Sequence, residues 1–88
     1  MKTKVENMTS LRGNDIPNQF IITTDDSVTF QSYRSTIAVK KDGKTFLDEK
    51  KWDHSTTTGK YRNQFLGEDK KTTQKKIDSG EYTLTNLN

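Results

Sequence analysis

Eighty-eight residues, 31% of them charged and 27% hydrophobic, allow one small domain with a thin core. A net charge of +3 is too low to mark a nucleic-acid binder by charge alone, and the absence of cysteine excludes disulfides, thiolate metal sites and a Cys–His dyad. No apolar run approaches the ~18 residues of a membrane-spanning helix, and residues 1–6 lack the apolar segment of a secretory signal, so a soluble protein of the cytoplasm with no membrane partner is expected.

Leu, Ile, Val and Phe number 17, near the lower limit for a folded charged chain, but they are clustered, and a folded domain is expected. In residues 1–17, Val5, Met8, Leu11 and Ile16 show no sustained period and the stretch ends at the sole proline, so these residues read as a flexible N-terminal arm. From Asn18 the texture changes to short β-type runs separated by turn residues. Phe20 to Thr24 is bounded by Asp25-Asp26. Val28 to Tyr33 alternates, with Val28, Phe30 and Ser32 on one side and Thr29, Gln31 and Tyr33 on the other. Thr36 to Lys41 follows with Ile37 and Val39 on one face. Asp42-Gly43 then makes the strongest turn signal, because both residues tolerate positive φ in a two-residue hairpin. Lys44 to Asp48 completes a four-strand meander.

After Trp52 the period shifts to helix. Residues 55–58 offer N-caps, Tyr61, Phe65 and Leu66 share a face, and Gly67 stands at the C′ position. Glu68-Asp69 opens a second helix and Lys75-Lys76 lies near its end, both favourable to the helix dipole, with Thr73 and Ile77 as its narrow apolar face. Ser79-Gly80 stops it, and residues 81–87 alternate as a last strand. The expected architecture is α+β: a small antiparallel sheet, a four-strand meander plus a C-terminal strand, with two short helices on one face, all within a single domain at residues 18–88.

The inventory for chemistry is thin. His54 is the only imidazole; Asp53, His54 and Ser55 are adjacent and do not converge as a triad, and no Gly-x-Ser-x-Gly elbow is present. No catalytic residue and no cofactor are expected, so the chain reads as a non-enzyme. One His without Cys lacks a zinc set, and Asp25-Asp26 and Asp42 lack the spacing of a calcium loop, so no metal site is expected either. Thr56-Thr57-Thr58-Gly59-Lys60 has the residues of a phosphate loop in the wrong order; helix capping accounts for the threonines, and a single phosphate held with Lys60 and Arg62 is the other reading.

Basic and aromatic residues interleave: Arg34 adjoins Tyr33, Lys50-Lys51 adjoin Trp52, and Lys60 and Arg62 bracket Tyr61. That texture suits single-stranded nucleic acid, although each aromatic also stands where a small core needs bulk. Trp52 is expected between sheet and helix, and Tyr33 is expected to be the exposed aromatic. Residues 44–76 hold nine Lys and Arg against five Asp and Glu, a local excess of four.

Three pieces of the chain carry a resemblance: Phe30-Gln31-Ser32-Tyr33 with Ser35-Thr36-Ile37-Ala38; Trp52-Asp53-His54-Ser55 running to Phe65-Leu66-Gly67; and residues 80–88. Through them the chain resembles a family of short uncharacterised proteins carried by phages and plasmids of Gram-positive bacteria. The resemblance transfers no catalytic residue, and the frequent Tyr at the position of His54 argues against a ligand role there. It implies an accessory protein that docks on a host protein and modulates or inhibits a defence or nucleic-acid-handling complex, CRISPR effectors included. The partner-binding residues expected are Tyr33, Arg34, Lys50, Lys51, Trp52, His54, Lys60 and Arg62. The alternative is direct nucleic-acid binding by Lys50, Lys51, Lys60, Arg62, Lys70, Lys71, Lys75 and Lys76. A monomer and a homodimer are both compatible with a sheet this small, whose free edges can pair.

Overall fold

The computed structural model describes residues 2–88; Met1, the first residue of the expected arm, lies outside them. Six strands form one sheet in sequential order: β1 (Lys4–Thr9), β2 (Asp15–Thr23), β3 (Ser27–Ser32), β4 (Ser35–Lys41), β5 (Lys44–Asp48) and β6 (Tyr82–Thr85). Between β5 and β6 come α1 (Thr56–Leu66) and α2 (Lys70–Asp78). The α+β class expected from sequence is the class observed.

Three details differ. Residues 4–9 and 15–17 are not an arm: β1 pairs antiparallel with β2, from Lys4 against Thr23 to Thr9 against Asp15. The register breaks between Asn7 and Thr9, and Pro17 and Asn18 lie in the resulting bulge, where a missing N–H interrupts no ladder. The proline therefore bends a strand instead of ending an arm. Second, β6 runs parallel to β5, from Tyr82 against Thr45 to Thr85 against Asp48, because the two-helix crossover carries the chain back to the end where β5 began. Third, a bulge in β4 inserts Ile37 between Thr36, opposite Gln31, and Ala38, opposite Phe30. Ile37 and Ala38 are both fully buried, whereas Val39, expected on the same face as Ile37, is only half-buried.

The core lies between sheet and helices. Ile21, Phe30, Ala38 and Leu47 stand in register across four strands, and the last three have no exposed surface. Phe65 of α1 stacks on Phe30 with ring centroids 5.7 Å apart. Trp52, Tyr61, Leu66 and Ile77 pack around the same cluster, so Trp52 sits where the sequence put it. On the opposite face Val5, Ile22, Thr29, Val39, Phe46 and Thr83 form a second row in register across all six strands.

The local signals work as read. Asp42 (φ 53°) and Gly43 (φ 75°) turn the β4–β5 hairpin in the left-handed region their side chains permit. Ser55 caps α1, its Oγ accepting from Thr58 N at 3.1 Å, and Gly67 at φ 72° closes it with an N–H donated to the Asn63 carbonyl. Asp69 caps α2 through Thr72 N at 2.8 Å.

Two buried carboxylates tie the ends together. Asp48 accepts from Lys50 N and Lys51 N through Oδ2 and from Leu87 N through Oδ1 at 2.8 Å, joining the end of β5 to the C-terminal segment. Asn88 then imitates a strand: its Oδ1 accepts from Thr36 N at 2.8 Å and its Nδ2 donates to Thr36 O at 3.1 Å. Glu68 accepts from Thr73 Oγ1 at 2.6 Å, Tyr82 Oη at 2.8 Å and Lys76 Nζ at 2.8 Å, linking α2 to β6.

Burial pushes the Glu68 carboxyl up, but the hydrogen bonds from Lys76, Thr73 and Tyr82 outweigh it and hold the group below the usual carboxylate range. In the unfolded chain a Glu titrates near ~4.3, so between that value and the lower folded one the unfolded state binds more protons. The stabilisation is complete above the unfolded value and is lost as pH falls through the folded one. Unfolding free energy is therefore expected to be level from pH 7 to about 5 and to decline below ~4. Glu68→Gln is expected to make that decline shallower in urea titrations at each pH; an unchanged acid slope would contradict the assignment.

Candidate functional site

Two of the segments singled out by sequence, residues 33–34 and 50–62, meet at one end of the domain. The β3–β4 turn, residues 33–34, lies beside the start of α1: Ser32 Oγ and Thr58 Oγ1 are hydrogen-bonded at 3.2 Å in a buried contact, and Lys51 Nζ donates to Ser35 Oγ at 2.8 Å. Tyr33 and Arg34 thus join the segment from Lys50 to Arg62 although the two are distant in sequence. An open cavity of about 660 Å³ lies at the head of α1, with Asp53, His54, Thr56, Lys60, Asn63 and Lys70 among its walls.

Arg62 corrects the sequence reading. It was expected at the contact surface, but it is 1% exposed and is the largest fully buried side chain. Its Nη1 donates to Trp52 O at 2.6 Å and to Asp53 Oδ1 at 3.2 Å, and its Nη2 donates to Asn63 Oδ1 at 2.9 Å. The guanidinium carbon lies 5.1 Å from the centre of the Trp52 ring. Asp53 also receives Lys70 Nζ on Oδ2 at 2.6 Å. The guanidinium therefore fastens the Trp52-Asp53 turn to α1, and Lys70 extends the latch to α2. A sequence signal for this existed: Phe65 and Leu66 follow Arg62 by three and four residues, which places Arg62 in the middle of the apolar stripe of α1.

The chemistry of the cavity follows from these bonds. Burial pushes the Asp53 carboxyl up, but hydrogen bonds from Lys70 and Arg62 prevail and hold it below its ordinary range, so it is a weak base near neutrality. His54 is exposed and its Nδ1 donates to the Lys51 carbonyl at 2.9 Å. Among the described residues no group of three or more His, Cys, Asp or Glu side chains gathers as a metal site, and no helix is long and apolar enough to cross a membrane.

The interleaved aromatics and cations resolve into internal pairs. Lys40 Nζ lies 4.6 Å from the Phe65 ring centre, Lys60 Nζ 5.4 Å from Tyr61, and Lys76 Nζ 5.3 Å from Tyr82, alongside Arg62 on Trp52. Of the eight basic residues named for nucleic acid, Lys51, Arg62, Lys70 and Lys76 are committed to hydrogen bonds or ion pairs within the chain. Lys50, Lys60, Lys71 and Lys75 are exposed.

Tyr33 is the exception among the aromatics. Its side chain is 57% exposed, and its backbone adopts φ 56°. It belongs to the turn and not, as alternation suggested, to strand β3. Its N–H donates to Asn18 O at 2.7 Å, and Asn18 is itself at φ 63°, so the bulge of β2 holds the turn in this shape. Gln31 Nε2 adds a 2.8 Å bond to the Tyr33 carbonyl.

Fold and site together define a small two-layer α+β domain, a mixed six-stranded sheet backed by two helices, with a basic, hydroxyl-rich rim around one exposed aromatic. The model of a family of unknown function (DUF8033) matches residues 3–81, and the chain belongs to that family. No curated protein and no solved structure matches the chain.

Proposed function

We propose that this chain is a non-catalytic accessory binding protein of a phage or mobile element that docks on a protein of the bacterial host. Its contact surface is the rim formed by Tyr33, Arg34, Lys50, His54, Thr56, Thr57 and Lys60. The observation that carries the reading is Tyr33. A non-glycine residue in the left-handed region costs about 1–2 kcal/mol. A side chain 57% exposed recovers little of that cost by packing within the chain. An exposed aromatic kept in a strained turn, beside a cation, is the composition of an interface anchor.

Several observations favour a protein over a nucleic acid as the partner. Base stacking needs free ring faces, and four aromatics already carry a cation of this chain. Half of the basic residues that would track phosphates are engaged internally. The resemblance to proteins of mobile elements supports a defence or nucleic-acid-handling complex in the host cytoplasm as the target class.

The test has two arms. Fluorescence anisotropy with single- and double-stranded DNA and RNA at low and physiological salt is expected to show no salt-sensitive binding; a steep salt dependence would replace this reading with the nucleic-acid one. Capture from host cells with a tagged chain is expected to recover a protein that is lost with the variant Arg34→Glu/Lys60→Glu. Equal recovery with that variant would contradict the proposed surface.

A further inference from the structure

The geometry points to a second copy of this chain as the partner of strand β1, through an antiparallel edge-to-edge pair that joins two sheets into one of twelve strands. This goes beyond the docking surface above and rests on different residues. β1 stands at the edge of the sheet, so one side of its backbone has no neighbouring strand. Its six residues make it longer than β6, the four-residue strand at the other edge.

The side chains of β1 select one register. A continuous antiparallel sheet built about a two-fold axis keeps each face on its own side, so only residues of like parity stand opposite one another. Of the registers centred on residues 4 to 8, those centred on Asn7 and Met8 leave Glu6 opposite an uncharged residue, Met8 or Ser10. Centring on Lys4 sets lysine against lysine, and centring on Glu6 sets glutamate against glutamate. Centring on Val5 sets Lys4 of each copy against Glu6 of the other, twice by symmetry, and opposite charges across an antiparallel pair are favourable. Lys4 and Glu6 already lie within reach on one face, with Nζ and Oε1 3.4 Å apart.

The other face agrees. Val5 is 61% exposed and begins the row that runs through Ile22, Thr29, Val39 and Phe46. In the same register Val5 meets Val5 of the second copy, and the two rows become one continuous apolar stripe. A contact of this length buries less than the roughly 1,200 Å² of a standard stable interface, so the dimer dissociates on dilution.

Sedimentation equilibrium over micromolar to millimolar concentrations tests the pairing with four proteins: wild type, Lys4→Glu, Glu6→Lys and the double exchange Lys4→Glu/Glu6→Lys. Wild type and the double exchange are expected to self-associate alike. Each single variant, which opposes like charges at both pairs, is expected to associate about tenfold more weakly. Both exchanged positions, Lys4 and Glu6, are exposed, and restored association in the double variant separates a register effect from a folding defect. A wild type that stays monomeric throughout, single variants as tight as wild type, or a double exchange that fails to recover would each overturn the proposal.

Discussion

Replacing Arg62 by Ala is expected to lower the unfolding free energy by about 3–5 kcal/mol, the cost of removing one partner from a buried, hydrogen-bonded charge pair. The side chain is 1% exposed and bonds three groups, the Trp52 carbonyl and the Asp53 carboxylate of one turn and the Asn63 amide of its own helix. Its loss leaves the Trp52 carbonyl and the Asn63 oxygen without their donor and opens a void beneath the Trp52 ring. Domains of this size hold only about 5–15 kcal/mol in total, so the variant is expected to lose a large share of its stability. Arg62→Lys is expected to recover little, because one ammonium cannot reproduce the planar fork that reaches Trp52, Asp53 and Asn63 together. Urea titration followed by Trp52 fluorescence measures both. A loss below about 1 kcal/mol would show that the latch contributes no more than an exposed ion pair.

Phe30→Ala is expected to cost a comparable amount, about 3–5 kcal/mol. Phe30 has no exposed surface, stands in register between Ile21 and Ala38, and stacks on Phe65. The truncated side chain leaves a cavity at the junction of sheet and α1, which the backbone of a central strand cannot collapse to fill. The same urea titration reads the loss, and calorimetry is expected to show a lower melting temperature. Phe46→Ala, on the half-buried opposite face, is expected to cost clearly less. Equal losses at the two positions would mean that the uncovered face carries as much of the packing as the covered one.

The parts of the fold legible in sequence are those decided locally. A hydroxyl residue and a glycine bracket α1, an aspartate heads α2, and Asp42-Gly43 fixes a two-residue hairpin whatever the rest of the chain does. β1 was illegible because Lys4 to Thr9 offers only Val5 and Met8 as apolar residues, and these differ in parity. Pro17 gives no help, since a proline in a bulge looks the same in sequence as a proline that ends a segment. The parallel placement of β6 depends on where the crossover lands, which periodicity does not encode. At the site, the clustering of Tyr33 and Arg34 with Lys50 to Lys60 came through. The burial of Arg62 did not, because a guanidinium on an apolar helix stripe is buried only where the fold supplies acceptors. Here these are the Trp52 carbonyl, Asp53 and Asn63, and the first two come from the preceding turn.

That distinction also divides these residues by role. Trp52, Asp53, Ser55 and Arg62 build and cap the head of α1, and Asp48, Leu87 and Asn88 fasten the C-terminal segment. These residues are accounted for by folding. The exposed residues left over on the same rim, above all Tyr33, have no such structural task.

The most direct measurement is therefore to take Tyr33→Gly through urea unfolding and partner capture side by side. Glycine adopts positive φ without the cost that tyrosine bears, so stability is expected to rise by about 1 kcal/mol. Recovery of the host protein is expected to fall. A more stable domain that binds less is the signature of a residue kept for contact. A variant that loses stability, or that captures its partner undiminished, would contradict the account.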